Sequence, residues 1–258
     1  MKDTRIVFFD IDGTLIDMQK KQISEKTLEM LGQLRKNGIL ICLATGRPPA
    51  SLPKIDGVEF DAYLTCNGSL CYTGQEVIFS NPIPSADVQK IIRNAAELGR
   101  PVSVATGKRL AANGIDADLA EYYSFAHLEL TVADDFEEAA CQEVYQVMLG
   151  CREEDYPSVL KGVSGAGITA SWDRAADVIP ANGGKGTGIQ QILAYYHLTK
   201  EEAIAFGDGN NDIAMLQSVG TGVAMENASQ RLKAIADDIC GHVAEDGIYH
   251  YCLENKLI

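Results

Sequence analysis

Two aspartates lie one residue apart near the start of the chain, directly after an apolar segment. Asp10 and Asp12 belong to the sequence Phe-Phe-Asp-Ile-Asp-Gly-Thr, residues 8–14. Successive side chains of an extended backbone point to opposite sides, so we expect the two carboxylates to diverge and to serve different functions. One would attack an electrophile or bind metal, and the other would transfer protons. The same residues also suit a polar turn with a helix N-cap, and this segment alone leaves both interpretations open.

A second acidic segment has the sequence Gly-Asp-Gly-Asn-Asn-Asp, residues 207–212. Asp208 and Asp212 are four residues apart, after a predicted buried strand and at the start of a predicted helix. Mg²⁺ prefers oxygen ligands and keeps several waters, so one direct and one outer-shell carboxylate would suit it. A calcium loop of the EF-hand type is disfavoured because Val219 stands where that loop needs glutamate. A polar turn with an N-cap remains open.

Two basic segments could hold an anion. Thr45 follows a predicted strand and precedes Gly46 and Arg47, and a hydroxyl beside backbone N–H groups suits a phosphoryl oxygen. Lys185 supplies a point charge within the glycine-rich residues 182–188. This is not a Walker A loop, because Gly186 follows the lysine where serine or threonine is required. A helix N-cap, a surface arginine and a flexible linker are the alternatives.

Apolar runs and helical periodicity alternate at both ends of the chain. Because strand and helix alternate and polar loops follow the strand ends, we predict a Rossmann-like, parallel α/β sheet with ligands at its carboxyl edge. The predicted strands cover residues 5–9, 39–43, 62–65, 203–206 and 221–225. The predicted helices cover residues 24–37, 187–197, 213–218, 229–236 and 248–255.

The middle of the chain has a different pattern. We predict a helix at 88–98, a hairpin of 101–106 with 109–113, and a strand at 167–172, whereas 144–149 suits either a strand or a helix. Proline and glycine cluster at both junctions, in residues 81–84 and 180–184. We therefore expect a discontinuous catalytic core, residues 1–82 and 183–258, with an inserted α+β cap domain at 83–182.

Composition narrows the classes of partner. The chain has 258 residues, 46% of them apolar, and a net charge of −14. Such an acidic protein is a poor candidate for binding nucleic acid or an anionic membrane, and an anionic substrate would need a local cation. No apolar run approaches the ~20 residues of a membrane span. The seven cysteines are odd in number and lack Cys-x-x-Cys spacing, which predicts reduced thiols in a cytoplasmic protein.

Taken together and in order, the segments resemble the haloacid dehalogenase-like phosphatases. Within that superfamily they resemble the Cof-like sugar-phosphate phosphatases, which carry a large α/β cap of type IIB. The matching motifs are Asp10-Ile-Asp12-Gly-Thr14, Ala-Thr45-Gly-Arg47, Lys185 and Gly-Asp208-Gly-Asn-Asn211-Asp212. The resemblance covers the whole chain, with Asn67-Gly68 and the insertion between Thr45 and Lys185.

The resemblance implies roles for the motif residues. Asp10 would be the nucleophile that forms an aspartyl-phosphate, and Asp12 the general acid and base. Mg²⁺ would be bound by Asp10, the Asp12 carbonyl and Asp208, with Asp212 in or near the outer shell. Thr45 and Lys185 would hold phosphoryl oxygens, and Lys185 would also pair with Asp10. The remaining expected substrate-binding residues are Gly46, Arg47, Asn67 and Asn211, and the last three would line the mouth of the site.

The expected partner is a small phosphorylated metabolite, with sugar phosphates first, and the expected state is a monomer or a weak homo-oligomer. The cap would contact the leaving group, with Trp172, Asp173 and Arg174 as contributors, although a strand tryptophan is commonly a core residue. His127 and His197 have no partner at motif spacing and are assigned no role. Two other functions stay open: a phosphotransferase or mutase of the phosphomannomutase type, and a non-catalytic regulator that binds phosphometabolites.

Overall fold

The computed structural model describes residues 4–55, 57–126, 128–170 and 172–258. His127, and Ser171 in the predicted strand 167–172, lie outside the described residues. The strands in chain order are β1 (Ile6–Phe9), β2 (Leu40–Ala44), β3 (Ala62–Thr65), β4 (Leu70–Tyr72), β5 (Val77–Ser80), β6 (Val102–Thr106), β7 (Leu110–Ala112), β8 (Val144–Leu149), β9 (Ala166–Thr169), β10 (Ala176–Pro180), β11 (Ala203–Gly207), β12 (Thr221–Ala224) and β13 (Asp238–Ile239). The helices are α1 (Glu25–Lys36), α2 (Ser85–Glu97), α3 (Ala117–Phe125), α4 (Phe136–Ala140), α5 (Tyr156–Val159), α6 (Lys185–Tyr195), α7 (Ile213–Leu216), α8 (Gln230–Lys233) and α9 (Gly247–Glu254).

The larger sheet has the strand order β13-β12-β11-β1-β2-β3-β4-β5. Its first six strands run parallel, and every residue of the central strand β1 is fully buried. A strand covered on both faces needs apolar residues at every position, which is why its sequence is a continuous hydrophobic run rather than an alternating one. The predicted α/β fold with a parallel core sheet is confirmed.

Helix α1 shows how local sequence sets the boundaries of an element. Its N-cap Ser24 accepts a hydrogen bond from the Thr27 N–H, and Gly38 adopts a positive φ of 78° just beyond its end. Both are ordinary ways to satisfy the unpaired backbone groups at helix termini. Leu31 and Leu34 are buried on the face that packs against the sheet. The predicted helix over residues 24–37 is therefore confirmed.

The antiparallel edge formed by β4 and β5 is absent from the strands predicted above. These strands are short, and Val77 at the start of β5 is exposed. Neither strand has enough alternating residues to carry a periodic signal of its own. They extend the sheet beyond β3 and lead into the second half of the fold.

The smaller sheet is antiparallel and has the order β7-β6-β8-β10-β9. The predicted hairpin is confirmed as β6 and β7, and the ambiguous residues 144–149 form the buried strand β8. The predicted strand 167–172 is too long, since β9 ends at Thr169 and Trp172 lies beyond it. Strand β10 was missed because aspartate and proline, both depleted in strands, stand within it.

Among the described residues, the two largest hydrophobic clusters accompany the two sheets, one beside each. The junctions at either end of the smaller sheet lie side by side, because the Asn81 Nδ2 donates to Asn182 Oδ1 at 3.2 Å. This arrangement supports our proposal that residues 83–182 form an insert in a core made of 1–82 and 183–258. No helix among the described residues is long and apolar enough to cross a membrane.

Candidate functional site

The loops after four parallel strands meet at one edge of the larger sheet. Asp10 follows β1, Thr45 follows β2, Asn67 lies two residues beyond β3, and Asp208 follows β11. These strands are neighbours that run in the same direction. The carboxyl edge of such a sheet is where ligands bind in open α/β folds. Lys185, the first residue of α6, reaches the same edge.

Lys185 is buried between two carboxylates. Its Nζ donates to Asp10 Oδ1 and to Asp212 Oδ1, each at 2.5 Å. Burial acts to lower the pKa of the lysine, but the two carboxylates outweigh it and hold the ammonium charged. Burial also raises the pKa of Asp10 to about 7, although Lys185 counteracts part of that effect. The expected pairing of Lys185 with Asp10 is present.

Three carboxylates form the acidic group of this site. Oxygen atoms of Asp10, Asp208 and Asp212 all lie within 4.8 Å of one another. Burial and the neighbouring Asp10 and Asp212 charges raise the pKa of Asp208 well above its ordinary value. Gly13, with φ of 86°, lets Asp208 approach the first loop, because a Cβ there would collide with its carboxylate. A divalent cation would relieve the repulsion among these oxygens, so the donor set fits Mg²⁺.

Within this group, Asp212 has a different environment from Asp208. Its Oδ2 accepts hydrogen bonds from the backbone N–H groups of Asp208 and Gly209, and its Oδ1 accepts from Lys185. Asp208 instead accepts a bond from Thr14 Oγ1 at 2.8 Å. Asp212 is thus committed to orienting Lys185 and the loop, which supports an outer-shell position for it.

Asp12 lines the same cavity as Asp10 but has a different partner. Its carboxylate receives two hydrogen bonds from Arg47, with Nε at 2.7 Å from Oδ2 and Nη2 at 2.6 Å from Oδ1. The same guanidinium donates to the Phe125 carbonyl at 3.2 Å, which belongs to the segment inserted between β5 and α6. Arg47 therefore fixes the Asp12 carboxylate and links it to the insert. The metal-binding role of the Asp12 carbonyl stays a prediction.

The other expected substrate-binding residues lie close to the acidic group. Thr45 Oγ1 accepts a hydrogen bond from the Arg47 N–H at 3.0 Å. Gly46 leaves room for the Asn67 side chain, which a Cβ would crowd. Asn67 was expected at the mouth of the site, but it is buried, because it accepts a hydrogen bond from Asn211 Nδ2 and donates to the insert.

The insert contributes a carboxylate that the sequence analysis missed. Asp177 of β10 is buried, and its Oδ2 accepts from Asn67 Nδ2 at 3.1 Å while its Oδ1 accepts from the Tyr122 hydroxyl at 2.8 Å. Burial raises its pKa to about 7, although both hydrogen bonds counteract this effect. The sequence contains one indication of this residue: an aspartate within the apolar segment Ala-Asp-Val-Ile-Pro, just before the loop that carries Lys185.

We expect Asp177→Asn to remove a pH dependence of stability. The carboxyl pKa is about 7 in the folded protein against an ordinary value of 3.8, so between these values the folded state holds a proton that the unfolded chain releases. The contribution of Asp177 to the free energy of unfolding is therefore complete below pH 3.8. It falls by about 1.4 kcal/mol per pH unit as the pH rises from there to about 7.

Urea denaturation at several pH values measures this effect. Between pH 4.5 and 7, the free energy of unfolding of the wild type should fall by about 3 kcal/mol relative to that of Asp177→Asn. The difference between the two proteins is the quantity to follow, because contributions from all other titrating groups cancel in it. Parallel pH profiles for the two proteins would contradict the expectation.

A cavity of about 240 Å³ opens above the acidic group, between the two sheets. Its floor comes from the core and its walls largely from the insert. Trp172, whose place was expected in a core strand or at the leaving group, lies in the wall. The lining residues are Asp10, Asp12, Met18, Thr45, Gly46, Arg47, Pro48, Ser51, Leu110, Tyr122, Tyr123, Phe125, Ala126, Leu128, Met148, Trp172, Asp177, Asp208, Gly209 and Asn211.

Comparisons with known proteins agree with this geometry. Residues 7–252 match the family model for haloacid dehalogenase-like hydrolases. YkrA of Bacillus subtilis (strain 168), which carries a provisional phosphatase name, is 30% identical over 259 residues, covering 99% of both chains. From the same strain, the 5-amino-6-(5-phospho-D-ribitylamino)uracil phosphatase YitU is 28% identical over 268 residues, covering 96% of both chains.

A solved structure is similar over the full length of the chain. The sugar phosphatase BT4131, of HAD subclass IIB, superimposes with a TM-score of 0.92 and 32% sequence identity, covering 99% of this chain and 100% of the other. The resemblance stated from the motifs is therefore confirmed, including its branch with the large cap. This chain belongs to the haloacid dehalogenase-like hydrolases, and within that family it is a phosphatase.

Proposed function

We propose that the chain is a Mg²⁺-dependent phosphomonoester hydrolase that acts on small phosphorylated metabolites through an aspartyl-phosphate on Asp10. One observation carries the proposal: Asp10 lines the cavity floor while its carboxylate is paired with buried Lys185 beside two further carboxylates. A carboxylate held in one geometry by a fixed cation is suited to nucleophilic attack on phosphorus. The positive charge of Lys185 also offsets, within the site, the repulsion that the net charge of −14 exerts on an anionic substrate.

In the first half of the reaction, an Asp10 oxygen attacks phosphorus and the bond from phosphorus to the alcohol oxygen breaks. Asp12 gives its proton to the departing alcohol oxygen. The Thr45 hydroxyl and the Lys185 ammonium hold phosphoryl oxygens, and Gly46 and Asn211 shape the same pocket. Arg47 orients the Asp12 carboxylate between the nucleophile and the insert.

In the second half, water attacks the phosphorus of the aspartyl-phosphate. Asp12, now deprotonated, takes a proton from that water, and the Asp10 carboxylate is regenerated as inorganic phosphate leaves. The insert limits the entry of bulk water, which strengthens electrostatic interactions within the cavity. The adjacent linkers at residues 81–84 and 180–184 are the hinges that we propose for its opening.

The residues that would hold Mg²⁺ are Asp10, Asp208 and the Asp12 carbonyl, with Asp212 in the outer shell. When bound, the ion supplies Lewis-acid stabilisation of the charge that develops on the phosphoryl group. Asp208 is held ready for this role by Thr14 and by the space left at Gly13. Lys185 continues to neutralise the remaining charge on Asp10 and Asp212.

Sugar phosphates are one candidate class of substrate, because BT4131 is a sugar phosphatase and has the same architecture. The name of YitU, a phosphatase of a phosphoribitylaminouracil, extends the class to other small phosphorylated metabolites. We place the activity in the cytoplasm, since all seven cysteines are free and six of them are buried.

Metal removal tests the proposed cofactor. With p-nitrophenyl phosphate and a panel of phosphometabolites, we expect phosphate release in Mg²⁺ to fall by about 100-fold or more after EDTA treatment and to recover on adding Mg²⁺, because the carboxylate group then loses its Lewis acid. Phosphate release is measured colorimetrically. Turnover that is unaffected by EDTA would contradict a metal-dependent mechanism.

Competition between water and an added alcohol tests the covalent intermediate and the mutase alternative. If phenyl phosphate and p-nitrophenyl phosphate form the same aspartyl-phosphate, both must divide their phosphoryl group between water and glycerol in the same ratio. A ratio that depends on the leaving group argues for direct attack by water. Isomerised sugar phosphate without free phosphate would support a mutase, and binding without turnover would support a regulator.

A further inference from the structure

The wall of the cavity that the insert provides is mostly aromatic. The Phe125 and Trp172 rings lie 5.0 Å apart between centroids and nearly perpendicular, and Tyr122 lies 6.4 Å from each. All three line the cavity above Asp10. Edge-to-face rings of this kind form a firm apolar surface with defined faces, which recognises other flat rings.

A charged side chain stacks on the Trp172 ring. The Arg174 guanidinium lies 4.2 Å from the centre of the tryptophan ring, and it is itself paired with Asp118 and Glu121. Stacking of arginine on tryptophan fixes the plane of the ring at little entropic cost on ligand binding. The aromatic wall is therefore organised before a substrate enters.

Polar atoms are few on this wall. Among the described lining residues of the insert, four carry a nitrogen or oxygen atom in the side chain: Tyr122, Tyr123, Trp172 and Asp177. The Tyr123 hydroxyl forms a hydrogen bond with the Ser103 hydroxyl, and the Tyr122 hydroxyl donates a hydrogen bond to Asp177. The indole N–H of Trp172 is a donor only, so the acceptor that the wall offers a ligand is chiefly the Asp177 carboxylate, which has more lone-pair positions than its protein donors use.

The small number of polar side-chain atoms on this wall favours some leaving groups over others. A hexose would bring several hydroxyls, and each one buried without a partner costs binding energy. A flat ring with a single N–H or O–H group on its edge would instead cover the aromatic wall and satisfy Asp177. Building on the proposed phosphatase function, we propose that the preferred substrate is a phosphomonoester whose alcohol carries a planar, largely apolar ring with one hydrogen-bond donor that meets Asp177.

Three esters of primary alcohols separate the relevant properties: benzyl phosphate, cyclohexylmethyl phosphate and glucose 6-phosphate. Their leaving groups are chemically similar, so differences in kcat/KM report on the subsite. We expect benzyl phosphate to exceed cyclohexylmethyl phosphate by about two- to tenfold, through aromatic contacts, and glucose 6-phosphate by about tenfold or more. Equal values for the two ring esters, or glucose 6-phosphate as the best substrate, would overturn the inference.

A matched pair of variants locates the effect. Trp172→Leu keeps an apolar side chain but removes the ring, and should bring the ratio of benzyl to cyclohexylmethyl ester close to one. Tyr195→Leu removes an exposed ring that does not line the cavity and should leave the ratio unchanged. An unchanged ratio in Trp172→Leu would contradict the assignment of the wall.

The donor is tested with the three hydroxybenzyl phosphates. At about pH 8, where Asp177 with its pKa of about 7 is mostly ionised, at least one isomer should exceed benzyl phosphate by about tenfold in the wild type. This advantage should shrink to a few-fold in Asp177→Asn, since a charged acceptor makes the stronger hydrogen bond. No advantage for any isomer would overturn the role of Asp177. Hydrolysis of p-nitrophenyl phosphate tests the chemistry independently of the aromatic wall. If the protein hydrolyses neither p-nitrophenyl phosphate nor any of the other esters, the proposed function is overturned and this inference with it.

Discussion

Replacing Asp10 with asparagine is expected to lower kcat for p-nitrophenyl phosphate by about 10⁴-fold or more, as is usual when a covalent nucleophile is lost. Asparagine has nearly the same shape, and its amide is a far poorer nucleophile than a carboxylate. The substitution also removes one of the neighbouring carboxylates that raise the pKa of Asp208. We therefore expect the fold to be retained.

Single-turnover and steady-state assays measure the loss, and thermal denaturation reports on the fold. Asp134→Asn is a suitable control, because Asp134 is exposed and does not line the cavity. It should hydrolyse p-nitrophenyl phosphate at the wild-type rate. Wild-type turnover by Asp10→Asn would show that another group attacks phosphorus.

Lys185→Met is expected to impair both stability and activity. The ammonium is buried between Asp10 and Asp212, so its removal leaves two neighbouring carboxylates without their cation. Breaking a buried ion pair in this way costs about 3–5 kcal/mol of unfolding free energy, mostly because the remaining charge is buried and unpaired. Methionine fills similar space, so loss of packing adds little.

The loss of stability should depend on pH. In the variant, Asp10 can take up a proton, and its pKa is already about 7 in the wild type because of burial. Urea denaturation in EDTA should therefore show a smaller difference between variant and wild type at pH 5 than at pH 7.5. Lys161→Met, at an exposed position, serves as the control. Equal unfolding midpoints for Lys185→Met and the wild type at pH 7.5 would contradict the expectation.

The part of the site that could be predicted lies at the ends of strands with strong local signals. Strand β1 is a continuous apolar run that ends at Asp10, and β11 ends in the same way at Asp208. Parallel strands place such ends side by side, so proximity follows from topology alone. The role expected of Lys185 came from the resemblance of the ordered motifs, because a lysine in a glycine-rich segment is by itself also typical of a flexible linker.

The contacts between the two sheets could not be predicted in this way. Asn67 and Asp177 are 110 residues apart and meet only when the insert packs against the core. No periodicity within either segment encodes that docking, and the aspartate and proline of β10 weakened its strand signal. The placement of Asn67 at the mouth was wrong for the same reason, because its burial depends on Gln146 and Asp177 from the insert.

The distribution of cysteines gives the protein a natural attachment point for a probe. Cys141, directly after α4, is exposed, whereas the other six thiols are buried and burial raises the pKa of each of them. Because alkylation requires both access and a thiolate, a maleimide dye should modify Cys141 selectively in the native protein. The insert thereby carries a single fluorescent reporter position without mutagenesis, and because Cys141 does not line the cavity, the dye can follow movement of the insert during turnover.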